Sequence, residues 1–127
     1  MNQAAVRVRV DRPEAITMEV FEWAKDKILM GAKRKSAIIT SESARCTVYH
    51  EAGHALVGVL TQGCSTIHKA TIMSHGNSLG MVVSLSEGDQ TSKRQKEMLA
   101  YMDMCFGGLI AEELVFGEDN ITSGAGE

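Results

Sequence analysis

The chain has 127 residues, of which 44% are hydrophobic and 23% charged, and its formal net charge is −3. This length and composition are typical of one soluble globular domain or part of one, and the negative charge argues against a nucleic-acid partner. Its apolar runs are only a few residues long, so any membrane anchor is expected outside this sequence.

The first helix or strand of the chain has two interpretations. Val6, Val8 and Val10 alternate with charged residues, which is the pattern of a strand, but the segment can equally be the end of a helix.

Further along, Thr17 is expected to cap a helix whose apolar residues recur at helical spacing. That helix is predicted to end at Gly31, because glycine commonly follows the last helical residue.

Three longer segments follow and predict a fold that is mainly α with a small β-sheet. In order, the predicted elements are a helix from about Ser43 to Leu60, strands at 67–73 and 79–85, and a helix to about Phe116. Asp89 or Thr91 is expected to cap the last helix. The predicted fold class is therefore α+β, in which the sheet is much smaller than the helical part.

The helix predicted over 43–60 contains the sequence His50-Glu51-Ala52-Gly53-His54. Because residues four apart lie on one face of a helix, His50 and His54 can bind a single Zn²⁺ ion. Glu51 lies about 60° from His54 at about 100° per residue, beside the metal rather than on it. It is the predicted general base, which takes a proton from a zinc-bound water. The alternative is an exposed helix face that carries these polar residues without a metal.

Both long helices are expected to bury their large apolar side chains. On the histidine helix the predicted core face is Val48, Ala52, Ala55, Leu56 and Val59. On the last helix it is Met98, Met102, Phe106, Leu109 and Ile110. The small residues Ala52 and Gly53 are expected to allow close approach of a neighbouring element. The three cysteines contain no close pair, so we expect free thiols rather than disulfides.

Several motifs in a fixed order carry a resemblance to a known family. They are Ala24–Gly31, Tyr49–Ala55, Lys69–Met73, Leu79-Gly80, Gly107–Gly117 and Ile121–Ala125. Together they resemble the FtsH family of membrane-anchored AAA+ zinc metalloproteases. Within that family the chain is most similar to the mitochondrial i-AAA, or YME1-like, branch. The fold would then be a truncated FtsH-like peptidase domain built on a zincin-type helix that carries the HExxH motif.

The resemblance implies a division of the chain and a longer parent protein. Residues 1–31 would be the C-terminal end of the AAA+ lid domain with a junction helix, and 32–127 the N-terminal part of the zinc peptidase domain. On this view the first segment is helical. The parent would be a homo-hexameric, ATP-dependent zinc metalloendopeptidase that degrades unfolded or membrane proteins. Its expected location is the mitochondrial inner membrane, with a bacterial or plastid membrane as the alternative. No phosphate-binding loop occurs here, so ATP would bind only in the full-length parent.

The resemblance also implies a third zinc ligand, an aspartate directly after Glu127. The isolated chain is therefore expected to be inactive, and a non-catalytic polypeptide-binding or oligomerisation module is the alternative function. Glu112 and Glu113 could lie near the metal or be structural, and both possibilities stay open. His68 and His75 are expected to be structural or surface residues.

A substrate-binding strand is predicted beside the histidine helix. Leu79, Gly80 and Met81 begin a segment that is expected to form an edge strand, to which an extended substrate would add through main-chain hydrogen bonds. Gly80 would allow the second backbone to approach closely. The alternative is an ordinary core hairpin.

Overall fold

The structure is a computed structural model, and it describes residues 2–11, 17–31, 38–74, 78–85, 88 and 92–124. Its elements are α1 Asn2–Asp11, α2 Met18–Met30, α3 Ser41–Leu60, β1 Thr66–Thr71, β2 Met81–Leu85, α4 Gln95–Phe116 and a short 3-10 helix, Glu118–Asn120. The predicted fold class, mainly α with a small sheet, is confirmed. The chain divides into two compact units, Met1–Lys33 and Arg34–Glu127. Among the described residues, no helix has the length and apolar character needed to cross a membrane.

The first unit consists of α1 and α2. Because α1 is helical, the strand interpretation of the valine alternation is wrong and the helical alternative is confirmed. Contacts with α2 explain the difference: the Arg7 guanidinium lies 4.5 Å from the centre of the Trp23 ring, and Lys27 Nζ donates to Gln3 Oε1 at 2.9 Å. These contacts require the helical spacing of α1, and they outweigh a short local alternation.

The boundaries of α2 agree with the sequence prediction. The Thr17 hydroxyl accepts a hydrogen bond from the Val20 amide at 3.4 Å, which makes Thr17 the N-cap. Gly31 ends the helix with a φ of 81°, a left-handed conformation that glycine adopts without strain. Both ends of α2 are therefore determined by residues at the helix boundaries.

The second unit places a two-stranded antiparallel sheet and α4 against α3. The Thr40 hydroxyl caps α3 by accepting from the Ser43 amide at 3.1 Å, and the helix begins at Ser41, two residues before its predicted start. Strands β1 and β2 are shorter than predicted, and their register is irregular between Ile67 and Lys69. The predicted caps of α4 at positions 89 and 91 are wrong, because the helix begins at Gln95; those two positions lie outside the described residues.

The predicted core faces of α3 and α4 are also wrong. The buried residues of α3 are Thr47, His50, Glu51, Gly53, His54 and Gly58, whereas Leu56 and Val59 are 62% and 72% exposed. The buried residues of α4 are Ala100, Met104, Gly107, Gly108 and Glu112, whereas the predicted stripe from Met98 to Ile110 is exposed.

Glycine explains this inversion. A Cβ atom added to Gly53 would collide with the Gly107 carbonyl oxygen, and one added to Gly107 would lie 2.6 Å from the Gly53 carbonyl oxygen. The backbones of α3 and α4 are therefore in direct contact, which only the glycine-bearing faces permit. The large apolar side chains are left on the outer faces of both helices.

Candidate metal centre

The two histidines of the HExxH motif are buried together where α3 meets α4. The Nε2 atoms of His50 and His54 lie 2.9 Å apart, and the two imidazole rings are nearly perpendicular. The structure thus brings the two predicted ligands to one point. They do not lie on an exposed surface, so the alternative of a simple solvated face is wrong for these side chains.

The partners of the two Nδ1 atoms define the tautomers. His50 Nδ1 lies 2.7 Å from Glu112 Oε1, and His54 Nδ1 lies 2.8 Å from the Met104 carbonyl oxygen. A carboxylate and a carbonyl oxygen only accept, so both Nδ1 atoms carry the proton and donate it. The Gly108 amide nitrogen is also 3.2 Å from His54 Nδ1. The contact between Nδ1 and the Met104 carbonyl oxygen is the shorter of the two, and because that oxygen can only accept, it assigns the proton to Nδ1.

Both Nε2 atoms consequently present bare lone pairs to each other. Lone pairs at 2.9 Å repel unless a proton or a metal cation lies between them. A Cβ on Gly108 would lie 2.6 Å from His54 Nε2 and 2.7 Å from His50 Nε2, so the missing side chain leaves the space in front of both nitrogens open. Neutral imidazole is a preferred Zn²⁺ ligand, and the residues present therefore fit this ion.

The described residues supply two ligands and no complete set. Among them, no group of three or more His, Cys, Asp and Glu side chains is arranged to hold a metal. Catalytic zinc sites normally use three protein ligands and a water. Glu127, next to the position expected for the third ligand, lies outside the described residues.

Glu112 is the buried carboxylate behind His50. Only 1% of it is exposed, and besides His50 it accepts hydrogen bonds from the Thr122 amide, at 2.7 Å, and from the Thr122 hydroxyl, at 3.0 Å. Burial by itself would raise the pKa of the Glu112 carboxyl. The hydrogen bonds from Thr122 and His50 oppose burial and hold the pKa below its ordinary value, so Glu112 stays ionised. Its neighbour Glu113 is exposed.

Glu51, the predicted base, is buried next to the two histidines. A Cβ on Gly80 would lie 2.6 Å from Glu51 Oε1 and from its Cγ, so the Glu51 carboxylate lies directly against the Gly80 backbone. The structure thereby brings the predicted base and the predicted substrate segment together.

The predicted substrate residues lie at the beginning of β2. Met81 is its first residue and pairs with Thr71, while Leu79 and Gly80 precede the strand. In the described part of the chain, β2 pairs with β1 alone. Leu79 also lines a cavity of about 790 Å³, together with His50, Glu112, Phe116, Thr122 and Gly124.

One further histidine and the three cysteines are not among the predicted ligands. His68 is half-buried in β1, and His75 lies outside the described residues. All three cysteines are free, as predicted. The Cys64 thiol donates to the Ala100 carbonyl oxygen at 3.1 Å.

Sequence reasoning assigned no role to three parts of this centre. Gly108 and the Met104 carbonyl were not identified, and neither was the function of Glu112. A signal was present, because Met104, Gly108 and Glu112 are spaced by four and share one face of α4. That face could have been placed against the histidines if the glycine pair 107–108 had been interpreted as the contact with α3.

The chain is similar to known zinc metalloproteases over almost its whole length. The model of peptidase family M41 matches residues 37–127. The chain is 47% identical over 125 residues to ATP-dependent zinc metalloprotease FTSH 11, chloroplastic/mitochondrial, of Arabidopsis thaliana, covering 98% of this chain and 16% of the relative. It is 51% identical over 125 residues to the ATP-dependent zinc metalloprotease YME1 homolog of Schizosaccharomyces pombe, covering 98% and 18%. It is 46% identical over 126 residues to the mitochondrial inner membrane i-AAA protease supercomplex subunit YME1 of Saccharomyces cerevisiae, covering 99% and 17%. The chain therefore spans less than a fifth of the length of each of these three relatives.

Proposed function

The chain belongs to peptidase family M41, and from this membership we propose that it forms the zinc-binding part of an ATP-dependent metalloendopeptidase. The predicted resemblance to the FtsH family and its YME1 relatives is confirmed. The observation that carries the proposed activity is the convergence of two bare imidazole Nε2 atoms, 2.9 Å apart, with a buried glutamate at the next helical position. A catalytic zinc site normally has three protein ligands and a base, and these residues supply two of the ligands and the base.

In this proposal His50 and His54 would hold the zinc ion and Glu51 would move the proton. When bound, zinc would act as a Lewis acid that lowers the pKa of water towards neutrality. Glu51 would accept the proton from that water and later deliver it to the leaving amine of the cleaved peptide. Glu112 and the Met104 carbonyl accept hydrogen bonds from the two Nδ1–H groups, so that each Nε2 keeps its lone pair for the metal.

We propose that the substrate binds at Leu79, Gly80 and Met81 as an added β-strand. The contact between the Gly80 backbone and the Glu51 carboxylate supports this position, because a peptide paired there would lie beside the base. Main-chain hydrogen bonds provide affinity whatever the side chains are. That property suits a protease for unfolded or membrane proteins, which is the substrate class we propose.

The proposed parent protein combines this domain with an ATPase. Residues 1–31 would be the end of the AAA+ lid domain with a junction helix, and 32–127 the beginning of the peptidase domain. The parent would bind ATP, assemble as a homo-hexamer and carry its membrane anchor outside this chain. We place it in the mitochondrial inner membrane, with a bacterial or plastid membrane as the alternative. The names of the yeast and plant relatives support this location.

Replacement of Glu51 by Gln in the parent protein tests the proposed activity. The amide cannot accept the proton, so cleavage of unfolded casein should fall by about 10²- to 10⁴-fold while zinc content, measured by metal analysis, stays the same. Glu113→Gln is the matched control, because Glu113 is an exposed carboxylate elsewhere on the same pair of helices.

Two results would contradict the proposal. Cleavage by the Glu51→Gln variant at the parent rate would show that Glu51 is not the base. A parent protein that neither binds zinc nor cleaves casein would favour the alternative of a non-catalytic polypeptide-binding or oligomerisation module.

A further inference from the structure

One buried carboxylate, Glu112, connects His50 to the chain segment 121–124. We propose that Thr122 is a positioning residue, which fixes the orientation of His50 through Glu112 and holds the backbone at Gly124 beside the same imidazole. The proposal rests on the proposed function only for its consequence on zinc binding. The orientation of His50 can be measured without metal.

The hydrogen bonds at Glu112 use both of its oxygens. Oε1 accepts from His50 Nδ1 at 2.7 Å and from the Thr122 hydroxyl at 3.0 Å. Oε2 accepts from the Thr122 amide at 2.7 Å. The terminal torsion of a glutamate is otherwise broad, so donors on both oxygens are needed to hold the carboxylate plane. Thr122 provides a donor to each oxygen, and His50 then follows the direction of Oε1.

The Thr122 hydroxyl acts in two directions. Its single proton goes to Glu112, which leaves a lone pair that accepts the Gly124 amide at 3.2 Å. The same side chain therefore ties the backbone two residues later to the buried carboxylate. No other residue type except serine offers a donor and an acceptor at this distance from the main chain.

Gly124 lies against the metal-facing edge of His50. A Cβ on Gly124 would be 3.5 Å from His50 Cε1 and 3.7 Å from His50 Nε2, and its φ of +91° favours glycine. The Thr122 clasp, meaning its hydrogen bonds to Glu112 and Gly124, thus sets both the ring that binds the metal and the backbone that passes beside it. Loss of the clasp should disturb these two features together.

Three variants of the 127-residue chain separate this role from a general effect on stability. Thr122→Val keeps the size and β-branching but removes the hydroxyl, and Thr122→Ala removes it without branching. Thr122→Ser restores the hydroxyl. Ser123→Ala is the matched control, because it removes the hydroxyl of an exposed neighbour. Circular dichroism confirms that each variant is folded.

Two readouts are taken first without metal. One is the ¹⁵N-detected signal of the His50 Nδ1 proton, which a carboxylate partner shifts downfield. The other is hydrogen exchange at the Gly124 amide, which should become about fivefold faster in the Val and Ala variants, the factor supplied by one hydrogen bond of ordinary net strength. In both readouts, the Ser variant and the control should match the unsubstituted 127-residue chain. Zinc titration should then show about tenfold weaker binding for Thr122→Val. This is the smaller end of the loss in affinity that is usual when a residue hydrogen-bonded to a metal ligand is replaced.

The metal-free readouts decide the proposal. An unchanged His50 signal and unchanged Gly124 exchange in a folded Val or Ala variant would overturn it, as would failure of Ser to restore them. If the full-length parent protein binds no zinc, the proposed function fails, but the role of Thr122 is still decided by these two measurements.

Discussion

At the residue scale, the centre depends on atoms that supply no ligand of their own. Glu112 and the Met104 carbonyl act by accepting hydrogen bonds from Nδ1 of His50 and of His54, and Gly108 acts by having no side chain. The two acceptors disfavour the tautomer with a proton on Nε2, which could not bind a metal through that atom. The glycine keeps the space in front of both Nε2 atoms free of a side chain.

Gly108→Ala should abolish zinc binding while the helices remain formed. The new methyl group would occupy the space 2.6–2.7 Å from both Nε2 atoms, so we expect zinc affinity to fall by more than the roughly 10- to 100-fold typical of a lost outer partner. Isothermal titration calorimetry with zinc measures the change. Leu109→Ala, at the next and exposed position, should leave the affinity unaltered, and equal affinity in both variants would contradict this description of the centre.

The three free cysteines should differ in reactivity. Burial raises the pKa of the Cys64 thiol, and the negative charge of Asp103 raises it further. Because the thiolate is the nucleophile, iodoacetamide at about pH 7.5 should alkylate Cys64 about tenfold more slowly than the exposed Cys105, as measured by mass spectrometry. Asp103→Asn should accelerate the reaction at Cys64. Faster reaction of Cys64 than of Cys105 in the folded chain would contradict the half-buried position of the Cys64 thiol.

At the element scale, the close crossing of α3 and α4 determines which faces are buried. The contact is made by the backbones of Gly53 and Gly107. Because the polar residues of the centre lie on the same two helix faces, they are buried by this contact. Two helices with large side chains at this point would stand about 8–10 Å apart, the usual interaxial distance, and the imidazoles would lose their partners on α4.

Gly53→Ala should destabilise the second unit strongly. Its Cβ would collide with the Gly107 carbonyl and lie 2.7 Å from the Ala111 Cβ, which forces the helices apart. We expect the free energy of unfolding to fall by about 3 kcal/mol, the upper range for overpacking, despite the better helix propensity of alanine. Urea denaturation provides the value. The exposed neighbour is the control: Ala52→Gly should cost only about 1 kcal/mol, and a smaller loss at Gly53 than at Ala52 would refute the close crossing.

At the scale of the whole molecule, the outer faces of α3 and α4 remain apolar and exposed. Leu60 is 75% exposed and Leu114 is 82% exposed, along with most of the stripe from Met98 to Ile110. Exposed apolar surface of this extent is characteristic of faces that other polypeptide covers. The relatives are several times longer than this chain.

The isolated chain should therefore self-associate through these faces. Replacing Val59 and Leu60 together by Lys should lower its sedimentation coefficient at a given concentration, because the charges make burial of that face unfavourable. Analytical ultracentrifugation measures the effect, and Glu42→Lys, which adds charge at an exposed position early in α3, is the control. Identical sedimentation of the double variant and the parent chain would exclude this face from self-association.

The sequence by itself determined those features that depend on neighbouring residues. Thr17 and Gly31 delimit α2 through local hydrogen bonds and a left-handed φ, and the four-residue spacing of His50 and His54 places them on one helical face. The motifs also predicted the family correctly. In contrast, the partner of His50 is 62 residues away, and only the packing of α4 on α3 brings Glu112 to it. The same packing buries the polar faces of both helices and exposes their apolar faces. Hydrophobic periodicity predicted the opposite. Periodicity measures which side chains favour burial, but direct backbone contact between Gly53 and Gly107 decides which faces can meet.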